Sequence, residues 1–430
     1  MPFILGANSA ADTVHSISQS IRFNDGDSAF MKRDYSGDGS QTTFTLSGWF
    51  KLGDLSGTAH CLFATGFING SAADFTLYFS GGQLYLYAGY NGGTPANKLE
   101  TTQLFRDHSA WYHIVFTADT TNATPTERLR LYVNGSRVTF FDTETYPSQN
   151  DTLVWGDATY SHVIGATGDD VAGSLNSQTP RYHYDGYMAE LVYLDGTATT
   201  CNSFAELNSS GLWIPKSVSG LTFGTNGFHI DGSDATGSPV KLGDDVAGSN
   251  NYTTSGMEAN DQRADTPTNN KITFNPLNNQ RSGGTLSEGN LRYVGPGTRT
   301  LIGLTANVPS TGKWAVAYTV DQVSTTAGWQ IGLSTADDDD FGDGAGSNED
   351  LDIVRIQPNS SNAEVNDRIN NSYISPSPAV PLTTSDEFWV VVDMNTGNIF
   401  LGIYDASDTS MKFIAADGGS DGDPANGTNP

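Results

Sequence analysis

The segment Leu129-Arg-Leu-Tyr-Val-Asn-Gly-Ser-Arg-Val138 alternates apolar and polar residues on both sides of Asn134-Gly135. Asn-Gly accepts positive φ at both central positions of a two-residue turn, so this spacing predicts a tight β-hairpin. Two further apolar-rich strand signals stand upstream, Trp111-Tyr-His-Ile-Val-Phe-Thr117 and Phe44-Thr-Leu-Ser-Gly-Trp-Phe50. Phe75-Thr-Leu-Tyr-Phe79 and Gln83-Leu-Tyr-Leu-Tyr-Ala88 flank Ser80-Gly-Gly82, a second hairpin signal. A side-chain period of two commits such runs to strands with one face turned to a core.

Composition points the same way. The 430 residues include 48 Gly and no long charged helical run, while 37% hydrophobic and 11% aromatic content is ample for cores. The length exceeds one compact core. The expected fold class is all-β: two antiparallel β-sandwiches joined by an irregular bridge. The expected organisation is an N-terminal arm over 1–20, a first sandwich over 21–215, an irregular connector over 216–285 that packs on its neighbours, and a second sandwich over 286–430. Ser203-Phe-Ala-Glu-Leu-Asn208 is the one segment that reads as a short helix. A net charge of −27, from 21 basic and 48 acidic residues, disfavours nucleic acid and anionic lipid as partners. No apolar run reaches the ~20 residues that span a bilayer, and no basic residue precedes the apolar start as in a secretory signal. The two cysteines, Cys61 and Cys201, read as free thiols rather than a disulfide framework.

Several pieces, taken in order, resemble laminin G/concanavalin A-like jelly rolls: Ser20-Ile-Arg-Phe-Asn-Asp-Gly-Asp27, Leu46-Ser-Gly-Trp-Phe-Lys51, Trp111-Tyr-His-Ile-Val-Phe116, Leu131-Tyr-Val-Asn-Gly135, Ile164-Gly165 and Tyr184-Asp-Gly-Tyr-Met-Ala-Glu-Leu-Val-Tyr193. Farther along, Gly312-Lys-Trp314, Ile331-Gly-Leu333 and Asp386-Glu-Phe-Trp-Val-Val-Val-Asp-Met-Asn-Thr-Gly397 resemble a SPRY-like sandwich. Phe400-Leu-Gly-Ile-Tyr404 departs from that family's usual continuation, and the chain stops where one more strand is expected. The combination resembles virion structural proteins of tailed, especially marine, bacteriophages. That resemblance implies a fibre, spike or capsid-surface protein, assembled in the host cytoplasm and carried on the virion. Its implied partners are other virion proteins, further copies of the chain and host-surface glycan.

Catalytic spacing is missing from the sequence. Glycosidases on this fold set carboxylates on alternate residues of one strand. Here Glu190 and Asp195 are five apart and point to opposite faces, so Glu190 reads as a structural carboxylate and the chain as no enzyme. His113, mid-strand, reads as a packing histidine. A glycan site needs aromatic faces with polar groups beside them. The candidates are Tyr85, Tyr87, Tyr90, Tyr160, Tyr182, His183 and Tyr184, although on residue type alone the preferred reading is that they complete the outer layer of the sandwich or meet another subunit. No cofactor is expected. Calcium is the one cation with a candidate site, at Asp337, Asp338, Asp339, Asp340 and Asp343, where hard oxygen ligands cluster in a Gly-bearing loop. The simpler reading is a solvated acidic loop, and Asn24, Asp25 and Asp27 form a second such candidate whose simpler reading is a turn. The expected function is glycan adhesion by a non-enzymatic virion protein. The alternatives are a capsid decoration or cement protein with no ligand, and a polysaccharide depolymerase.

Overall fold

A computed structural model describes residues 15–53, 59–65, 75–90, 93–167, 180–280, 284–295, 301–305, 308–319, 331–332, 354–359, 362–367, 372–374, 385–407, 409–414 and 422–428. The chain divides into two compact units, Met1–Pro296 with Ile302–Ala306, and Gly297–Leu301 with Asn307–Pro430. Secondary structure among the described residues is strands, turns and short 3-10 helices. The all-β expectation holds.

The first unit contains two antiparallel sheets. The first runs Ser136–Arg137, Leu129–Val133, Trp111–Asp119, Thr43–Leu52, Gly186–Asp195, Ser20–Phe23, Gln262–Arg263, with Phe228–Ile230 also paired to Gly186–Asp195. The second runs Phe141–Thr145, Gly93–Leu104, Gln83–Tyr90, Phe75–Ser80, His60–Thr65, Ser161–Ile164, Phe30–Asp34, Thr253–Ser255. The Asn134-Gly135 hairpin forms with φ of 46° and 83°, and Val133 pairs with Ser136 across it. A Cβ at position 135 would lie 2.7 Å from the Trp213 ring, so glycine is required twice over, by φ and by space. Ser80 likewise pairs with Gln83 across Gly81-Gly82.

Alternation turns one face of each sheet inward. Phe44, Phe50, Phe63, Phe75, Phe116, Trp155, Tyr184 and Tyr193 interlock between the sheets, largely edge to face. Aromatic pairs in this geometry contribute about 0.5–1.5 kcal/mol each beyond area burial. The outer face of the first sheet is covered as well. Val192, Leu194, Cys201, Phe204 and Val218 form one cluster there, and Trp49, Trp111, Tyr187 and Ala205 another. Both cysteines are free and buried.

Three features depart from the sequence reading. The segment read as a helix is a 3-10 turn, Cys201–Ser203, followed by the strand Ala205–Leu207 paired to Trp213–Pro215. Its apolar residues are spaced to cap the first sheet. Residues 216–285, read as an irregular connector, supply three short strands to the sheets: Phe228–Ile230, Thr253–Ser255 and Gln262–Arg263. Residues 284–295 also belong to the first unit, where the Tyr187 hydroxyl donates to the Gly289 carbonyl at 2.8 Å and Arg22 pairs with Glu288 at 2.7 Å. The strongest clasp is Lys51, with a fully buried side chain. Its ammonium donates to Asp265 Oδ2 at 2.8 Å, Asn270 Oδ1 at 2.8 Å and the Lys271 carbonyl at 2.6 Å.

In the second unit, Lys313–Thr319, Glu387–Asp393, Asn398–Asp405 and Ser410–Ile414 form one antiparallel sheet. Ile331–Gly332, Val354–Asn359, Asn362–Asp367 and Ser372–Ile374 form another. Among the described residues of this unit, Phe388, Val390, Val392, Phe400, Leu401 and Ile403 are the buried apolar side chains.

Candidate functional site

The outer face of the second sheet carries a patch of tyrosines. Leu84, Leu86 and Ala88 of Gln83–Tyr90 point into the core, so Tyr85 and Tyr87 point out. Tyr78, from the neighbouring strand, stacks on both, with ring centroids 5.0 Å from Tyr85 and 5.9 Å from Tyr87. Tyr182 joins this layer over Cys61 and Ala64. On the other side, Tyr85 pairs with Glu100 and Tyr87 with Lys98. The Lys98 ammonium sits 5.3 and 5.4 Å from the centroids of Tyr85 and Tyr87 and bonds Glu100 at 2.8 Å.

The electrostatics follow from these contacts. The hydrogen bond from Lys98 holds the Glu100 carboxyl below the ordinary carboxylate range. Partial burial opposes the charge on Lys98, yet Glu100 and Tyr87 hold its pKa above the usual value. Burial, and then the neighbouring Tyr87, raise the Tyr78 phenol well above its ordinary range. The patch is therefore a tyrosine layer with the Lys98–Glu100 ion pair lying on it.

Of the residues singled out in the sequence, Tyr85, Tyr87 and Tyr182 come together. Tyr90 ends the same strand, but its ring lies outside the described residues. Tyr160 is in the turn before Ser161–Ile164 and is not part of the layer. His183 lies with its ring nitrogens at the carbonyls of Ala29, 3.4 Å away, and Pro180, 3.1 Å away. Tyr184 is corrected: its ring is fully buried between the sheets and its hydroxyl donates to the Lys51 carbonyl at 2.9 Å, so it offers no surface to a ligand. Tyr78, Lys98 and Glu100 were not singled out, because only strand register brings them to Tyr85 and Tyr87.

Asp337, Asp338, Asp339, Asp340 and Asp343 lie outside the described residues. Asn24, Asp25 and Asp27 form a 3-10 turn in which the Asn24 amide donates to Asp27 at 2.7 Å. Among the described residues no group of three His, Cys, Asp or Glu side chains is placed to hold a metal ion. No helix there is long and apolar enough to cross a membrane.

Glu190 sits at a β-bulge between Ala189 and Val192, with φ of 50°. The extra residue re-aims its side chain. The carboxylate is 2.9 Å from His229 Nε2 and 3.6 Å from His15 Nε2. Burial opposes its charge, but those two histidines hold its pKa down to about 2. The recess beside it, walled by Trp49, Phe204 and Pro215, has no room for a water-sized molecule. Asp195 lies on the opposite face, accepting from the backbone N–H groups of Ser40 at 2.6 Å and Asn226 at 3.0 Å. His113 is fully buried, takes hydrogen bonds with Ser47 and Trp213, and is pushed down to about 3 by burial. It is a packing histidine.

A family model described as the concanavalin A-like lectin/glucanases superfamily, of laminin G type, matches residues 24–199. No curated protein matches the chain. Among solved structures, a heptameric SAP-like pentraxin from Limulus polyphemus is 14% identical and covers 44% of this chain and 80% of its own, at a TM-score of 0.29. The CBM40 domain of a Ruminococcus gnavus IT-sialidase is 14% identical over 44% of this chain and 96% of its own, at 0.28. Domains LG4-5 of the mouse laminin α1 chain are 9% identical over 95% of this chain and 80% of their own, at 0.31. Residues 24–199 are thus similar to a laminin G/concanavalin A-like jelly roll, and the strands they supply build most of the two antiparallel sheets.

Proposed function

We propose that this chain is a non-enzymatic, lectin-like virion protein of a tailed bacteriophage, and that its jelly roll binds uncharged host-surface glycan through the tyrosine layer. The observation that carries the glycan part is the placement of Tyr85 and Tyr87 beside the Lys98–Glu100 pair on an outward sheet face. Sugar recognition draws on apolar ring surface and on fixed polar groups, and this strip supplies both. A net charge of −27 and a lysine already neutralised by Glu100 disfavour anionic saccharides. The non-enzymatic part rests on Glu190 being held between two histidines beside a closed recess. The particle location rests on the resemblance of a jelly roll followed by a second β unit to phage structural proteins. Several copies on one particle would multiply a weak site by avidity.

The mutual stacking of Tyr78, Tyr85 and Tyr87 favours one second reading, a decoration protein whose tyrosine layer meets another subunit. A glycan array of neutral and anionic oligosaccharides, probed with wild type and the Tyr85→Ala/Tyr87→Ala double variant, separates the two. The adhesion reading expects neutral ligands only and at least tenfold weaker binding by the variant. Silence across the array supports decoration, and new reducing ends from any ligand would overturn the non-enzymatic assignment in favour of a depolymerase.

A further inference from the structure

Part of the ring surface of the tyrosine layer is already in use. Tyr78 lies against Tyr85 and Tyr87, and Lys98 lies over both. A bare aromatic face exists nearby. Phe140 is 78% exposed, the most exposed of the large apolar side chains among the described residues. It lines a cleft of about 300 Å3 together with Thr102, Gln103, Ser136 and Thr139.

Strand Gly93–Leu104 supplies residues to both places, Lys98 and Glu100 to the tyrosine layer and Thr102 and Gln103 to the cleft. Lys98 and Glu100 pair across from Tyr87 and Tyr85, and a register shift opposite Gln83–Tyr85 then interrupts the alternation. Thr102, Gln103 and Leu104 are consequently all exposed in succession. Bulges re-aim side chains in this way at binding surfaces. A second shift between Phe141 and Thr143 frees Asp142 from the edge strand, and Asp142 takes a 2.7 Å hydrogen bond from the Gln83 amide. Gln83 in turn accepts from the Tyr85 hydroxyl at 3.2 Å. This hydrogen-bonded path leads from the layer to Asp142, two residues along the chain from Phe140.

We infer that the cleft at Phe140 is the stacking subsite of one extended site, which takes a linear, uncharged oligosaccharide running from Tyr87 to Phe140. This deepens the adhesion reading and rests on it. The lining selects the occupant. The side chains of Gln103, Ser136 and Thr139 make no hydrogen bond with other described residues, so their donors and acceptors are open to ligand hydroxyls. Arg137, the one charged side chain of the cleft, is paired with Glu127 at 2.6 Å, so no net charge is left to attract a carboxylate or sulfate. A volume at the lower end of the ~300–1,000 Å3 range of ligand pockets suits one or two sugar rings. From Lys98 to Thr102 the strand advances about 13 Å at ~3.3 Å per residue, which leaves room for two or three more.

The test is calorimetric titration of the full chain with neutral gluco-, manno- and galacto-oligosaccharide ladders of one to six units. For the ladder that binds, wild-type affinity should rise with each unit up to about four and then level off. Phe140→Ala, a change at an exposed position, should bind the tetramer at least tenfold more weakly and the dimer as wild type does. If wild type gains with length while Phe140→Ala matches it at every length, the Phe140 subsite is wrong and the tyrosine reading survives. If Tyr85→Ala/Tyr87→Ala matches wild type on a ladder that binds, or if no ladder binds, the tyrosine reading itself falls and the extended site falls with it.

Discussion

Asp265→Ala should destabilise the jelly roll severely, although residue 265 lies some fifty residues beyond the segment that reads as the domain. The Lys51 side chain is fully buried and that of Asp265 is 6% exposed, with 2.8 Å between them. Burial lowers the Lys51 pKa and the Asp265 charge raises it, so this carboxylate is what makes a buried ammonium tolerable. Asp265 also accepts from the Trp111 indole and the Lys271 N–H, each at 3.1 Å. Removing one partner of a buried pair costs about 3–5 kcal/mol, because the other charge is left without compensation. In a domain of this size 1 kcal/mol corresponds to roughly 2–4 °C, so a loss of ~4 kcal/mol lowers the melting midpoint by roughly 8–16 °C. Scanning calorimetry of the full chain measures it, and Lys51→Met/Asp265→Leu should recover a large part by removing both charges. A single Asp265→Ala variant that melts with wild type would refute the reasoning. The pair would then not be buried, and residues 216–285 would not be part of the jelly-roll fold.

Other outcomes follow from the same contacts. Glu190 has a depressed pKa, so its contribution is present above pH ~4.5 and lost as pH falls through about 2; His15, raised first of all by its hydrogen bond to Glu190, contributes below pH ~6.5 and loses this as pH rises through its folded value. The melting-point gap between wild type and Glu190→Gln should therefore be widest between pH ~4.5 and ~6.5 and narrower at pH 8. Gly135→Ala forces a Cβ against Trp213 at positive φ and should cost about 1–3 kcal/mol in urea unfolding, where no loss would remove the close approach as a constraint. Cys61 and Cys201 are buried with thiol pKa values raised by desolvation, so a thiol reagent at neutral pH should label neither in the native chain and both in guanidinium; native labelling would contradict their burial.

Local chemistry was legible in the sequence and register was not. Asn134-Gly135 and Gly81-Gly82 name their turns, because positive φ is a property of the turn residues themselves. The near-continuous apolar runs in Trp111–Asp119 and Gly186–Asp195 signal strands because both of their faces are buried, one on the core and one under the covering clusters. Phe204 and Ala205 misled toward a helix: their burial is set by the sheet they cover, and no local spacing encodes that. Tyr85 and Tyr87 were visible as an outward pair, whereas Tyr78, Lys98 and Glu100 join them only through cross-strand pairing. The bulges at Glu190 and opposite Gln83–Tyr85 shift the alternation by tertiary pairing and leave no mark in composition. The lysine at position 51 reads as a surface residue until Asp265 is brought to it.

The adhesion account is tested most directly by amide hydrogen-exchange footprinting of the full chain with and without a neutral oligosaccharide that binds it. Slower exchange should appear in Gln83–Tyr90, in Gly93–Leu104 and around Phe140, with Gly186–Asp195 unchanged. Protection centred on Glu190 and its strand, with the tyrosine-bearing strands unaffected, would contradict it.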